Sequence, residues 1–332
     1  MAAEKIIADW KKGIFKPIYW LEGEEDYFSD IVMDYAEHHI LNETEASFNL
    51  TVFYGKDANL ADVINACRRY PMFAERQVVL LKEAQQMRNP EKLEVYVENP
   101  LNSTIFVVSY KGKKVDGRTK FAKTLKEKGV LLTTKKMYDS KLPEWTQELV
   151  ESKGLSISKK GLMLLVDHIG NDLNRINNEI DKLAVNLSNR KNITEDDIEE
   201  YVGISKEYNV FELHAALVHK DLPKAIQIIQ YFGANPKAAP IQLVLPSLYG
   251  LFSKVIMIYG LNSREEKAVA AALGVNPYFA KDYLKAAEMY TYPQLEAALL
   301  LLHEYNLKSV GVNDIGTEDA SLLKEMLVKM IA

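Results

Sequence analysis

The sequence predicts an α/β domain with a parallel sheet, followed by two all-helical domains. Five short apolar runs alternate with helical patterns up to about residue 134. Wholly apolar strands alternating with helices point to a parallel sheet covered on both faces. Beyond about residue 137 the strand signals stop and amphipathic helical spacing takes over. The length of 332 residues allows two or three domains, and 16 Gly with 11 Pro is a low share of loop-forming residues.

The elements follow in order. Residues 17–21 form a short apolar run ending at Gly23, a buried-strand signal. Residues 26–41 place Phe28, Ile31, Val32, Tyr35 and Ala36 on one helical face. Residues 48–54 are β-rich and stop at Gly55, 59–69 read as helix, and 77–81 as a buried strand. Residues 90–98 suggest a helix, 104–109 another buried strand, 118–128 a helix and 130–133 the last strand. Helices are then expected over 142–153, 159–169, 172–186 and 194–202, the last opened by Thr194 and three acids suited to a helix N-terminus. Seven more follow: 209–220, 221–232, 239–259, 263–273, 277–290, 292–308 and 317–331.

Composition narrows the function. Apolar residues are 48% and charged residues 26%, as in an ordinary water-soluble globular chain. The net charge of −5 argues against a surface coated in nucleic-acid-binding charge but allows a local basic face. The single Cys67 excludes an intramolecular disulfide and a Cys-rich zinc site, and fits a reducing cytosol. No signal peptide or membrane segment is read: residues 1–12 alternate charge with apolar pairs, and the run 295–302 is broken by Glu296.

An α/β domain invites a test for a phosphate-binding loop, whose glycine-rich backbone and Lys cradle and neutralise phosphates. Gly23 stands where the first Gly would be, but Phe28, Ser29 and Asp30 occupy the positions of the second Gly, the Lys and the Ser/Thr. Glu24, Glu25 and Asp26 would repel a triphosphate. The strand 77–81 is followed by Lys82, where a metal-holding acid would be required, and then by Glu83, a weak signal alone. The six His are scattered. His214 and His219 are five apart rather than the four that align two ligands on a helix. No catalytic residue, cofactor or metal is expected.

Two features remain. Between a helix and a buried strand lie Tyr70, Pro71, Met72 and Phe73, in Arg-Arg-Tyr-Pro-Met-Phe-Ala-Glu-Arg. Pro71 ends the helix, so Met72 and Phe73 sit in a connector. There they either fold back onto the core or plug into a partner. Residues 111–141 hold eleven basic residues against three acids, leaving the rest of the chain strongly acidic. This is either a solvated helix face or a phosphate-facing patch. Lys113, Lys114, Arg118, Lys120, Lys123 and Lys126 are its candidate DNA-facing residues.

Taken together, these residues resemble the delta subunits of bacterial DNA polymerase III, in the clamp-loader family. The likeness runs over nearly the whole chain. It is carried by Ile18-Tyr19-Trp20-Leu21-Glu22-Gly23-Glu24-Glu25, by Tyr70 to Val79 and by the 113–128 region. Asn178 to Ala184, Ile193 to Ile198, Tyr208 to Leu213, Ala270 to Tyr278 and Asn306 to Gly311 extend it. Their order and spacing, more than any one motif, make the likeness specific.

The resemblance implies an AAA+-like domain over 1–137, a helical lid over 138–205 and a helical collar for oligomerisation over 206–332. In this family the fold is kept while ATP hydrolysis is left to sister subunits. The implied function is to bind and open the ring-shaped sliding clamp (the beta subunit) so that it can be loaded on primed DNA. A hydrophobic wedge does this, and by position it corresponds to Met72 and Phe73, flanked by Tyr70 and Pro71. Leu is the more usual residue before the Phe, and Met72 conserves its volume. Implied partners are the clamp, the gamma/tau ATPase subunits, delta-prime and primed DNA, in a bacterial cytoplasmic, nucleoid-associated replisome. Any polymerase activity would belong to the holoenzyme. An ATP-hydrolysing AAA+ subunit and a helical adaptor outside replication are the competing readings.

Overall fold

The computed structural model describes residues 2–331, except Lys206, Lys237, Ala238, Asn276 and Ile315 and the side chain of Tyr278. Asn276 and the Tyr278 side chain, both in the resemblance segment 270–278, and the expected collar boundary at Lys206 therefore lie outside the described residues. The chain forms two compact units, Met1–Met137 and Tyr138–Ala332.

The first unit is built from α1 (Ala2–Lys11), β1 (Ile18–Gly23), α2 (Asp26–His38), α3 (Glu43–Asn49), β2 (Leu50–Tyr54), α4 (Leu60–Arg68) and β3 (Gln77–Lys82). It continues with α5 (Glu94–Val97), β4 (Thr104–Lys111), α6 (Lys120–Lys128) and β5 (Val130–Thr134). The five strands form one sheet in the order β2-β3-β4-β1-β5, every pair parallel. Because side chains alternate along a strand, Ile18, Trp20, Val79, Leu81, Phe106 and Val108 enter one core with Tyr96, Phe121 and Leu125. The intervening Tyr19, Leu21, Val78, Leu80, Ile105 and Val107 are equally buried. On that face Trp10 of α1 meets Tyr19 edge-on, ring centroids 4.8 Å apart. The edge strand β2 departs from the all-buried pattern and is only half-covered.

Three local readings change. Residues 48 and 49 belong to α3 rather than to β2, because Asn42 and Glu45 form a reciprocal capping box that nucleates the helix. Residues 90–98 are a 3₁₀ turn (Pro90–Leu93) running into the one-turn α5. The unpredicted α1 buries Ala3, Ile6 and Trp10, spaced as one helical face.

The second unit opens with α7 (Leu142–Ser152), β6 (Ser156–Ile157), α8 (Lys159–Ile169), α9 (Leu173–Asn186), β7 (Asn192–Ile193) and α10 (Glu195–Asp197). A π turn over Ile198–Val202 follows. The expectation that strands stop after residue 137 is corrected here: β6 and β7 pair in parallel over two residues, too short to leave a pattern in the sequence. Next come α11 (Val210–Val218), α12 (Leu222–Ala234), α13 (Ile241–Ile258), α14 (Glu266–Leu273), α15 (Ala280–Met289), α16 (Tyr292–Ser309) and α17 (Asp319–Ile331). These seven helices share one apolar core. By length and composition α13 could cross a membrane, but its Val244, Leu245, Leu248, Phe252, Val255 and Ile258 are built into that core.

Candidate functional site

In a parallel sheet the ligand crevice ordinarily lies at the carboxyl ends of the strands. Here that edge is filled from within. Gly23 closes β1 at φ +125°, and a Cβ on it would stand 2.1 Å from the Thr134 carbonyl oxygen. Its N–H donates to the Lys113 carbonyl at 3.0 Å, and its carbonyl accepts from Gly112 N–H at 2.7 Å. The next two amides are also engaged: Glu24 N–H donates to the Thr134 carbonyl at 3.3 Å and Glu25 N–H to Thr134 Oγ1 at 3.2 Å. The amides of Glu24 and Glu25 therefore point at Thr134 of β5, and that of Gly23 at the loop after β4. Buried Glu22 ties the neighbouring loop down, accepting from Val115 N–H at 2.9 Å and Thr133 Oγ1 at 3.0 Å.

The other degenerate-loop positions lie along α2. Phe28 and Ser29 are buried, and Asp30 pairs with Lys111 Nζ at 2.6 Å. Glu83 also reaches Lys111, at 3.3 Å, while Lys82 pairs with Glu37 at 2.5 Å. These groups line a small cavity of about 180 Å³ in which both lysines already have acidic partners. Burial pushes the Asp26 carboxyl above its ordinary range, against the opposing pull of Lys111.

The opposite, amino edge of the sheet is built differently. α4, N-capped by Asn59, ends at Arg68, and the connector runs over 69–76 into β3. Two buried amides hold it. Gln77 Nε2 lies 3.0 Å from the Ala66 carbonyl, 2.6 Å from that of Arg69 and 2.8 Å from Thr104 Oγ1, closing the end of α4. Asn49, the last residue of α3, accepts from Met72 N–H at 2.7 Å and donates to the Met72 carbonyl at 2.9 Å. Arg69 adds a bond to Thr51 Oγ1 at 3.0 Å, and the Arg76 guanidinium sits 4.4 Å over the Phe15 ring. From this fixed base the apolar side chains face solvent: Tyr70 is 77% exposed, Met72 54% and Phe73 94%. Pro71 is half-buried. Phe73 is also in the left-handed region at φ +56°, where side chains other than Gly are strained. The connector thus presents two adjacent large apolar groups without folding them onto its own core.

The basic stretch is less positive in space than in sequence, because part of its charge meets acids from elsewhere. Lys114 pairs with Glu24 at 3.0 Å and Lys120 with Glu98, while Arg118 pairs with Asp116 of its own stretch at 2.8 Å. Lys136 reaches buried Glu25 at 3.5 Å, and Lys113 Nζ lies 3.4 Å from the Gln85 carbonyl. Lys123 and Lys126, one turn apart on the exposed face of α6, have no acid at ion-pair distance among the described residues.

Comparison with known proteins now decides the family. Residues 19–135 match the family model for DNA polymerase III, delta subunit, and residues 207–328 the model for its C-terminal domain. The chain belongs to the DNA polymerase III delta subunit family. It is similar to DNA polymerase III subunit delta of Bacillus subtilis, 25% identical over 96% of this chain and 93% of the relative. It is also similar to the probable DNA polymerase III subunit delta of Aquifex aeolicus, 24% identical over 85% of each chain. Among solved structures it resembles the Bacillus subtilis DNA clamp loader delta protein, with a TM-score of 0.59, 23% identity and 99% of each chain covered. The parallel-sheet unit followed by helices is the fold class that the sequence predicts.

Elsewhere in this delta-family chain the histidines do not converge. Among the described residues no group of three His, Cys, Asp or Glu side chains could hold a metal. His214 Nε2 lies 3.0 Å from Ser247 Oγ at the wall of a cleft of about 500 Å³ in the second unit. Burial lowers its pKa to about 4, helped by Lys254, and favours the neutral imidazole. Burial also raises the Cys67 thiol pKa, so Cys67 behaves as a small core residue. Sequence reasoning missed Asn49 and Gln77, whose roles depend on contacts across the fold.

Proposed function

We propose that this chain is a clamp-loader subunit that binds the sliding clamp of the replicative polymerase and favours its open form. The observation that carries this is the exposed Met72–Phe73 pair on a tethered connector of a delta-family chain. Burying one such side chain contributes about 1.5–3 kcal/mol, and a few central anchors dominate most interfaces. Opening then needs no chemistry in this chain. If Met72 and Phe73 bind the open ring better than the closed one, the ring shifts toward open by that difference.

On this reading ATP is hydrolysed by sister subunits. The engagement of the Glu24 and Glu25 amides by Thr134 supports that view. Residues 138–205 serve as a lid and 206–332 as the collar that joins the gamma/tau and delta-prime subunits. Primed DNA passes the basic residues, and the assembly works in the bacterial cytoplasm at the nucleoid. Any polymerase activity belongs to the holoenzyme. The test is clamp binding by the Met72→Ala, Phe73→Ala double variant. Loss of binding with an unchanged unfolding transition is expected; wild-type affinity would sink the assignment. A nucleotide titration of the purified chain checks the second point, and saturable ATP binding would overturn it.

A further inference from the structure

We infer that Asn49 is the positioning residue for the Met72–Phe73 anchor, holding it in its binding conformation before a partner arrives. The inference rests on the anchor reading above. Asn49 is 2% exposed, and its side chain makes three hydrogen bonds. Oδ1 accepts from Met72 N–H at 2.7 Å, and Nδ2 donates to the Met72 carbonyl at 2.9 Å and to the Glu45 carbonyl at 3.0 Å. One primary amide thus clips both backbone groups of a residue 23 positions away and ties them to the last turn of α3. A primary amide offers a donor and an acceptor side by side at this reach whatever the pH, whereas a carboxyl does so only when protonated. The clip falls on the residue immediately before Phe73, whose left-handed backbone is held against its intrinsic preference. A strained backbone persists only where its surroundings over-determine it, and Asn49 supplies that restraint at the connector tip. Gln77 secures the other end, at Arg69. Without the clip the tip would sample many conformations, and binding would bear the ordering cost.

The experiment uses the full chain and the purified sliding clamp, with four proteins: wild type, Met72→Ala with Phe73→Ala, Asn49→Ala and Asn49→Asp. Two readouts are taken, clamp affinity and residue-resolved amide exchange. For Asn49→Ala the expected result is binding weakened by roughly tenfold, the scale of two lost hydrogen bonds. Faster exchange at Met72 and unchanged protection across Val78 to Leu81 should accompany it. Wild-type affinity in Asn49→Ala, with binding lost in the double variant, would overturn the inference and leave the anchor reading standing. Wild-type affinity in the double variant would overturn both. Asn49→Asp keeps the inference testable if the Ala variant does not fold. Its ionised carboxylate can accept from Met72 N–H but repels the Met72 carbonyl, whereas the protonated acid can donate to it. Its affinity relative to wild type should therefore recover as pH falls from about 8 to about 5.5, since such a buried carboxyl has a raised pKa. A pH-independent ratio would count against the clip, because a merely structural defect has no reason to follow that proton.

Discussion

Replacing Phe73 by Gly should separate stability from function. The ring is 94% exposed, so its removal takes away almost no packing. Its backbone, at φ +56°, is in the left-handed region, which costs an L side chain roughly 1–2 kcal/mol. Gly removes that strain but gives the unfolded chain extra freedom worth about 0.5–1 kcal/mol. The net is a chain as stable as wild type or about 1 kcal/mol more stable. Phe73→Ala, which keeps the strain, should be about 1 kcal/mol less stable than Phe73→Gly. Binding should respond in the opposite sense. Loss of a Phe anchor worth about 1.5–3 kcal/mol raises the dissociation constant roughly tenfold to a hundredfold. Urea unfolding of the three chains, paired with fluorescence-anisotropy titration of labelled clamp, measures both quantities. If Phe73→Gly lost more than about 2 kcal/mol, the ring would be packing on its own chain and the exposed-anchor argument would be wrong. Unchanged clamp affinity would be equally damaging.

Three further outcomes follow. Gly23→Ala should destabilise the first unit by several kcal/mol, on the order of 3 or more, because its Cβ would sit 2.1 Å from the Thr134 carbonyl; chemical denaturation checks this, and a shift under 1 kcal/mol would contradict the close approach. Lys123→Glu with Lys126→Glu should lower the salt dependence of DNA binding by the assembled loader by about one to two in log–log slope, whereas Lys114→Glu, at a residue already paired with Glu24, should change it less. For His214 the folded pKa is depressed to about 4 from 6.5, so its contribution is complete above pH 6.5 and is lost as pH falls toward 4. The loss is on the order of 3 kcal/mol, and His214→Gln should flatten that acid limb in thermal-melt midpoints taken across the window.

Much of the fold could be read from residues that act locally. Val78 to Leu81 and Ile105 to Val108 declare buried strands because both faces of a parallel sheet are covered. The run 48–54 misled because β-rich composition outweighs one easily missed signal, the Asn42 and Glu45 capping box that keeps residues 48 and 49 helical. The connector's position was legible from Pro71, but its exposure was not. Asn49 and Gln77 fix the connector's backbone from across the fold, and no pattern along the chain marks a side chain that bonds 23 residues away. The pairing within the basic stretch was hidden for the same reason, since Asp30, Glu24 and Glu98, which meet Lys111, Lys114 and Lys120, lie outside its own run.

The two edges of the sheet give the family resemblance a physical content. At the carboxyl edge, where this architecture ordinarily receives a ligand, Thr134 takes the amides after β1, Glu22 fastens the loop at Val115, and Lys82 and Lys111 are held by acids. At the amino edge the polarity of the design is reversed. There buried amides secure only the backbone, and the large apolar groups are left outside. A chain that merely lost a phosphate loop would have no reason to keep Met72 and Phe73 in solvent on a strained, doubly tethered connector. A chain selected to grip a protein surface would, because preorganising the anchor lowers the ordering cost of binding. The two edges together are what the proposed role of this parallel-sheet unit as a binding scaffold rests on.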